Sequence, residues 1–377
     1  MYFLNNKTAQ IDDLLARAAE KLQLDKTRRE KIESSYMSIQ EVLENDPEFF
    51  NSKSFEIYPQ GSVRIGTTVK PLAKNEFDLD IVLHIRDNNF EQTNPIKVYN
   101  ELKRVFKNDG RYEDKVEPKT RCVRLKYAGD YHMDILPGCQ EKIQNEDVIV
   151  IPDRELKEWL ISNPRGYAKW FLEKAETIRL TLLEKAYSAE EIPADDFATK
   201  KPLQRAVQII KRYRDLFFEK SPDYATSSIV LTTIAGELYL NQESIFETID
   251  SIISQIKNKV NVSRTQRIKV LNPVNKEEDF TDKWEREPQY YSEFIRFSES
   301  LYESWQKLKQ DNGIIEESNI LKGVIGEKLF YDSIREQTMI TEDYRKKGKV
   351  FSSSAAGTLG SKKQADNPIK KNTFFGK

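Results

Sequence analysis

The amino-acid sequence predicts an α+β protein, with strands gathered in its first half and helices in its second. Three observations predict this. In residues 77–85, Phe77, Leu79, Ile81, Leu83 and Ile85 share one wholly apolar face, at the period of a strand. Residues 121–127 and 131–136 read as a hairpin around Ala128-Gly129-Asp130, residue types that tolerate unusual backbone angles. After Pro152 helical periodicity takes over, at 166–187, 202–219, 226–240, 244–259, 288–310 and 313–336.

The remaining elements follow in order. Residues 8–46 read as helical: Leu14, Leu15, Ala18, Leu22 and Leu24 form one stripe, and Ile32, Tyr36, Ile39, Val42 and Leu43 continue it after a charged interruption. Residues 55–58 form a short strand that runs into the turn Pro59-Gln60-Gly61-Ser62. A helix over 96–106 carries Val98, Leu102, Val105 and Phe106 on one side, and 147–151 is a further strand. Pro202 stands where a first-turn proline is tolerated. The acidic, polar stretch 189–200 reads as a connecting loop. From about residue 350 a Ser/Ala/Gly-rich and then basic composition predicts a flexible tail. No internal repeat is present.

Composition narrows the function. The 377 residues carry a formal net charge of −1, whereas proteins that coat long nucleic acid are usually basic. No stretch approaches a membrane span, and the start lacks the basic and apolar regions of a signal peptide. The two cysteines, Cys122 and Cys139, cannot build a disulfide framework, and with His84 and His132 they show no zinc-ligand spacing. A reducing cytoplasm is the expected compartment.

The chemistry concentrates on the polar face of 77–85. Asp78 and Asp80 project side by side there, roughly 6–7 Å apart. Like charges at that spacing repel unless a cation sits between them, and carboxylate oxygens are hard ligands for Mg²⁺ or Mn²⁺. Asp134, in the second half of the hairpin, completes a cluster if that strand lies beside 77–85. Three carboxylates can hold two metals about 3.5–4 Å apart. Gly61 and Ser62 offer backbone N–H groups and a hydroxyl to phosphate oxygens. An isolated Asp-x-Asp is most often a solvated face or an edge guard. The ordered set of Gly-Ser, Asp-x-Asp and a distant strand Asp is far more specific. His84 and His132 read as supporting residues, not ligands. Over 203–215, Leu203, Val207, Ile210 and Arg214 fall near one stripe flanked by Lys211, which either solvates a cationic face or meets a triphosphate.

The pattern Gly61-Ser62, Phe77-Asp78-Leu79-Asp80, Met133-Asp134-Ile135 resembles the metal-site signature of the polymerase-beta-like nucleotidyltransferases. More narrowly, over roughly residues 8–345 the chain resembles the bacterial cGAS/DncV-like nucleotidyltransferases (CD-NTases). The segments Pro59–Thr67, Asn163–Phe171, Leu203–Asp215 and Thr226–Thr233 carry that likeness. The resemblance implies a bilobed fold, a mixed-sheet lobe plus a helical lobe, with the active site between them. On this reading residues 1–160 form the nucleotidyltransferase core of N-terminal helices plus catalytic sheet, 161–349 the helical lobe and 350–377 the tail.

The resemblance further implies synthesis of a cyclic di- or trinucleotide second messenger from NTPs with release of pyrophosphate. Such products activate an effector in anti-phage defence (CBASS). Asp78, Asp80 and Asp134 would hold two Mg²⁺ ions, or Mn²⁺ in their place. Gln60, Gly61, Ser62, Lys211 and Ser228, the last in preference to Ser227, would bind nucleotide. The zinc module of the animal DNA sensor has no counterpart here. Some family members are conjugated through a C-terminal glycine by a ubiquitin-transfer-like ligase. The end Asn372-Thr373-Phe374-Phe375-Gly376 is similar, but Lys377 follows and would first need trimming. Two alternatives stand beside this reading: a nucleotidyltransferase acting on RNA, a small molecule or a protein, and a non-catalytic nucleotide-binding regulator.

Overall fold

The structure is a computed structural model that describes residues 7–72, 76–86, 94–127, 131–142, 145–155, 157–176, 199–262, 267–310, 312–347, 351–352, 359–360 and 367–368. The turn 128–130, most of the loop 189–200 and the last part of the helix expected at 166–187 lie outside them. So does the tail, apart from three paired two-residue strands.

The helical stretch expected at 8–46 is two helices, α1 (Lys7–Lys21) and α2 (Lys26–Glu44). Asp25 separates them, because its carboxylate caps α2 by accepting from Arg28 N at 2.9 Å. Their apolar faces go to different lobes. Ile32, Tyr36, Ile39, Val42 and Leu43 of α2 pack against the sheet. Ile11, Leu14, Leu15, Ala18 and Leu22, from α1 and its end, pack into the core of the helical lobe. Of the two helices that chain order groups with the sheet, α2 thus packs on the sheet and α1 against the helices of the second half.

Seven strands form the sheet: β1 (Phe55–Pro59), β2 (Phe77–Ile85), β3 (Val116–Pro118), β4 (Val123–Tyr127), β5 (Tyr131–Lys142), β6 (Asn145–Asp153) and β7 (Glu158–Ser162). The order is β1-β2-β5-β4-β3, with β6 pairing β5 and β7. The β2–β5 pair is parallel and the others are antiparallel, so the sheet is mixed. The apolar face of β2 is buried under α2 and α4 (Pro95–Asn108). Beyond the sheet come α5 (Pro164–Ala175), α6 (Pro202–Phe217), α7 (Ser228–Leu238) and α8 (Ile245–Val262). A small hairpin follows, β8 (Leu271–Asn272) with β9 (Asn275–Asp279). The chain continues through α9 (Asp282–Arg286), α10 (Pro288–Lys309), α11 (Ile314–Ile325) and α12 (Glu327–Lys346). The helix expected at 313–336 breaks at Gly326, whose φ of +95° cannot continue a right-handed helix. Among the described residues no helix is long and apolar enough to cross a membrane.

A buried charge cluster ties the sheet to α5. Oε1 of Glu56, on β1, accepts from Arg165 Nη1 at 2.9 Å and lies 2.9 Å from Nδ1 of His84, while Arg86 reaches Oε2 at 3.3 Å. The Arg165 guanidinium also sits 4.0 Å over the Tyr58 ring. Burial alone would raise the Glu56 carboxyl, but the His84 and Arg165 hydrogen bonds and the nearby cations outweigh it and hold it at about 2. A carboxyl held below its unfolded value stabilises the fold above about pH 4.5, and that contribution drains away as pH falls toward 2. The shift corresponds to about 3 kcal/mol at neutral pH. In urea unfolding, the stability gap between wild type and Glu56→Gln is expected to shrink by about half between pH 6 and pH 3. A gap that stays constant across that range would show that Glu56 does not carry this linkage.

Candidate active site

The parallel pairing of β2 and β5 assembles the acidic centre. Its register sets Asp80 directly opposite Asp134, and Asp78 opposite His132. Asp78 is exposed and Asp80 half-buried, on the face opposite the sheet core. Desolvation first, and then the charges of Asp134 and Asp78, push the Asp80 carboxyl up to about 7. Asp78 is raised for the same leading reason, with Arg124 opposing.

The Gly-Ser turn faces this centre. Residues Gly61–Arg64 form a single helical turn, α3, directly after β1. Gln60 N donates to Asp80 O at 2.9 Å, which pins the turn to β2. Gly61 has φ +60°, and a Cβ there would lie 2.6 Å from Oδ2 of Asp80. Only glycine meets both demands without displacing the carboxylate. Further along the chain, Thr67 N donates to Ser62 O at 2.9 Å.

Arg124 was not expected. It neighbours Asp134 in the β4–β5 register and grips it with both nitrogens, Nε to Oδ1 at 2.7 Å and Nη2 to Oδ2 at 2.8 Å. Nη2 also stands 3.5 Å from Oδ1 of Asp78. The Asp134 hydrogen bonds hold the guanidinium well above its ordinary value, so it is a fixed cation between two acids. The signal was present in the sequence, since a three-residue turn pairing Tyr127 with Tyr131 must pair Arg124 with Asp134. Among the described residues no three acidic, His or Cys side chains stand grouped to hold a metal ion. Burial and the neighbouring Asp134 and Asp80 charges push the Cys122 thiol up to about 12, which keeps it neutral. His84 belongs to the Glu56 cluster, and His132 Nε2 lies 2.7 Å from Glu76.

The helical lobe supplies the opposite wall. Lys211 of α6 donates to Thr67, at 3.2 Å to the carbonyl and 3.0 Å to the hydroxyl. Burial and then the Arg214 charge bring the Lys211 amine down to about 7, against the pull of Asp215 and Asp80. Ser228 opens α7, and its hydroxyl accepts from Arg214 at 2.8 Å. All the residues expected at the site, Gln60, Gly61, Ser62, Asp78, Asp80, Asp134, Lys211 and Ser228, line one cleft of about 680 Å³. Ser227 is not among the lining residues. Arg214, Asp215, Asn272 of β8, Glu278 of β9 and Phe280 just after it also line it. The hairpin residues escaped the sequence because its strands are too short to show a period.

A parallel Asp–Asp pair beneath a Gly-Ser turn, closed by a helical lobe, is the arrangement of a polymerase-beta-like nucleotidyltransferase. Residues 10–175 match the family model of the Second Messenger Oligonucleotide or Dinucleotide Synthetase (SMODS) domain. The chain is 41% identical over 380 residues to the c-di-GMP synthase of Roseivirga ehrenbergii, covering 100% of both chains. It is 22% identical over 382 residues to the cyclic dinucleotide synthase CdnG of Bradyrhizobium diazoefficiens, covering 93% of this chain and 90% of CdnG. Its fold superposes on the structure of that CdnG in complex with GTP with a TM-score of 0.70, at 21% identity, over 87% of this chain and 99% of the other. The protein belongs to the cGAS/DncV-like nucleotidyltransferase (CD-NTase) family.

Proposed function

We propose that the protein condenses two molecules of GTP into c-di-GMP and releases two pyrophosphates, with Asp78, Asp80 and Asp134 as its metal-holding centre. The observation that carries the proposal is the convergence of these aspartates on the Gly61-Ser62 turn inside one cleft. Identity to a c-di-GMP synthase along the whole chain supports the choice of product.

The donor set suits a divalent cation such as Mg²⁺ or Mn²⁺: hard oxygen ligands, mutually repelling, with the Arg124 guanidinium standing in for positive charge. Asp78, Asp80 and Asp134 would hold the metal, in place of the positive charge that Arg124 supplies here. When bound there, such a metal would lower the pKa of an attacking hydroxyl and offset charge on the departing pyrophosphate. The chain's own groups do the rest. The Gly61 backbone and the Ser62 hydroxyl hold the donor phosphates, and Gln60 fixes that turn on Asp80. Asp134 accepts the proton of the acceptor ribose hydroxyl as its oxygen bonds to the donor α-phosphorus and the bond to pyrophosphate breaks. Lys211, Arg214 and Ser228 face the triphosphate from the helical wall. Asp215 and Glu278 are acceptor-only carboxylates on that wall, suited to the N–H donors of guanine.

The product acts as a second messenger in the cytoplasm, switching on an effector in anti-phage defence (CBASS). Conjugation of the tail by a ubiquitin-transfer-like ligase stays an expectation about residues outside those described. Incubation with all four NTPs and Mg²⁺ or Mn²⁺, phosphatase treatment and mass spectrometry test the reading. A resistant product with the mass of c-di-GMP is expected. Linear or macromolecule-linked nucleotide would favour the alternative transferases, and no product the non-catalytic regulator.

A further inference from the structure

One face of α6 is a row of buried donors. Gln204, Gln208, Lys211 and Arg212 are 8%, 0%, 4% and 6% exposed. Their spacing of i, i+4, i+7 and i+8 aligns them on one side of the helix. Gln204 Nε2 donates to Ile65 O at 2.9 Å, Gln208 Nε2 to Thr68 O at 2.7 Å, Lys211 to Thr67 O at 3.2 Å and Arg212 to Lys70 O at 2.5 Å. Residues 67–70 have no regular structure, so their carbonyls lack ladder partners. The helical lobe provides them. Thr67 in turn donates its N–H to Ser62 O, which places α6 one residue and one hydrogen bond from the Gly61-Ser62 turn.

Gln208 carries a cost along with its hydrogen bond to Thr68. Its Oε1 is buried with no hydrogen-bond partner among the described residues. An apolar side chain of the same length would remove that orphaned acceptor but leave the Thr68 carbonyl without its donor. What the amide adds is a fixed position for the Thr68 carbonyl.

We propose that Gln208, together with Gln204, is a positioning residue for the donor-phosphate turn. The two amides set the depth of segment 65–68 against α6, and through Thr67 the place of Ser62 and of the Lys211 ammonium. They touch no substrate. The inference rests on reading Gly61-Ser62 as the phosphate turn.

Such a role predicts a kinetic split. Misplacing a group that binds the donor equally in the ground and transition states raises KM and spares kcat. In the full chain, Gln204→Met/Gln208→Met is expected to raise KM for GTP about 10-fold, with kcat changed less than about 3-fold. Its melting temperature is expected to stay within a few degrees of wild type. The single Gln208→Met, with a smaller rise in KM, serves if the double variant folds poorly. Ser62→Ala runs alongside. An unchanged KM for the glutamine variants beside a raised KM for Ser62→Ala overturns the positioning role. An unchanged KM for Ser62→Ala overturns the phosphate-turn reading instead. Activity lost only in step with thermal unfolding also overturns the proposal, since that is plain structural damage.

Discussion

The Asp78→Asn/Asp80→Asn variant is expected to lose cyclic dinucleotide synthesis by ~10³-fold or more, about 4 kcal/mol of barrier, while melting no lower than wild type. The two halves of this expectation have one cause. Asp80 and Asp134 are directly paired across β2 and β5, and Asp78 stands two residues along the same strand. In the metal-free protein that crowding, added to burial, raises Asp80 to about 7. A carboxyl raised above its unfolded value costs stability as pH climbs from about 4 to about 7. Asparagine keeps the shape, removes that cost and removes the anionic ligands, leaving only a neutral amide oxygen at each position. Rates come from product quantification and stability from thermal melts. Full activity in this variant would sink the assignment of the centre. Lost activity with a collapsed melt would show that the carboxylates hold the fold instead.

Gly61→Ala is expected to lower activity about 100-fold, because it displaces the Asp80 carboxylate proposed to hold the metal by roughly an ångström. The new methyl would sit 2.6 Å from Asp80 Oδ2, so the carboxylate must turn away from the cleft. The backbone at φ +60° adds strain of about 1–2 kcal/mol for any residue with a Cβ. A fall in melting temperature of roughly 1–3 °C follows. Gly110→Ala is the matched control, since nothing lies within 4 Å of a Cβ at that position. Equal effects of the two substitutions on product formation would show that the close approach at Gly61 is immaterial.

Much of the site is legible in the sequence. Period-two alternation over 77–85 puts Asp78 and Asp80 on one face, and β2 spans those same residues. The hairpin pattern puts Asp134 on a strand, and the structure adds that this strand runs on to Lys142. The position of Gly61-Ser62 after a short strand marks the turn that lies on Asp80. Arg124 is harder to find. Hairpin register dictates its partner, yet a single basic residue on a strand forms no pattern of its own and stands out only once Asp134 is known to need a counter-charge.

What the sequence determined by itself is what local backbone geometry dictates: which side chains share a face, where a helix can begin at Pro202, and where a turn needs glycine. These depend on residues a few positions apart. Tertiary structure alone decided that β2 and β5 are parallel neighbours, which brings Asp134 beside the Asp78-Asp80 pair. It also decided that α1 joins the helical lobe, that α6 stitches itself to residues 65–70, and that the β8–β9 hairpin reaches the cleft. Those outcomes rest on contacts between segments distant in the chain. They are set by which apolar faces can be buried together and which buried carbonyls still need donors, and no local pattern records either.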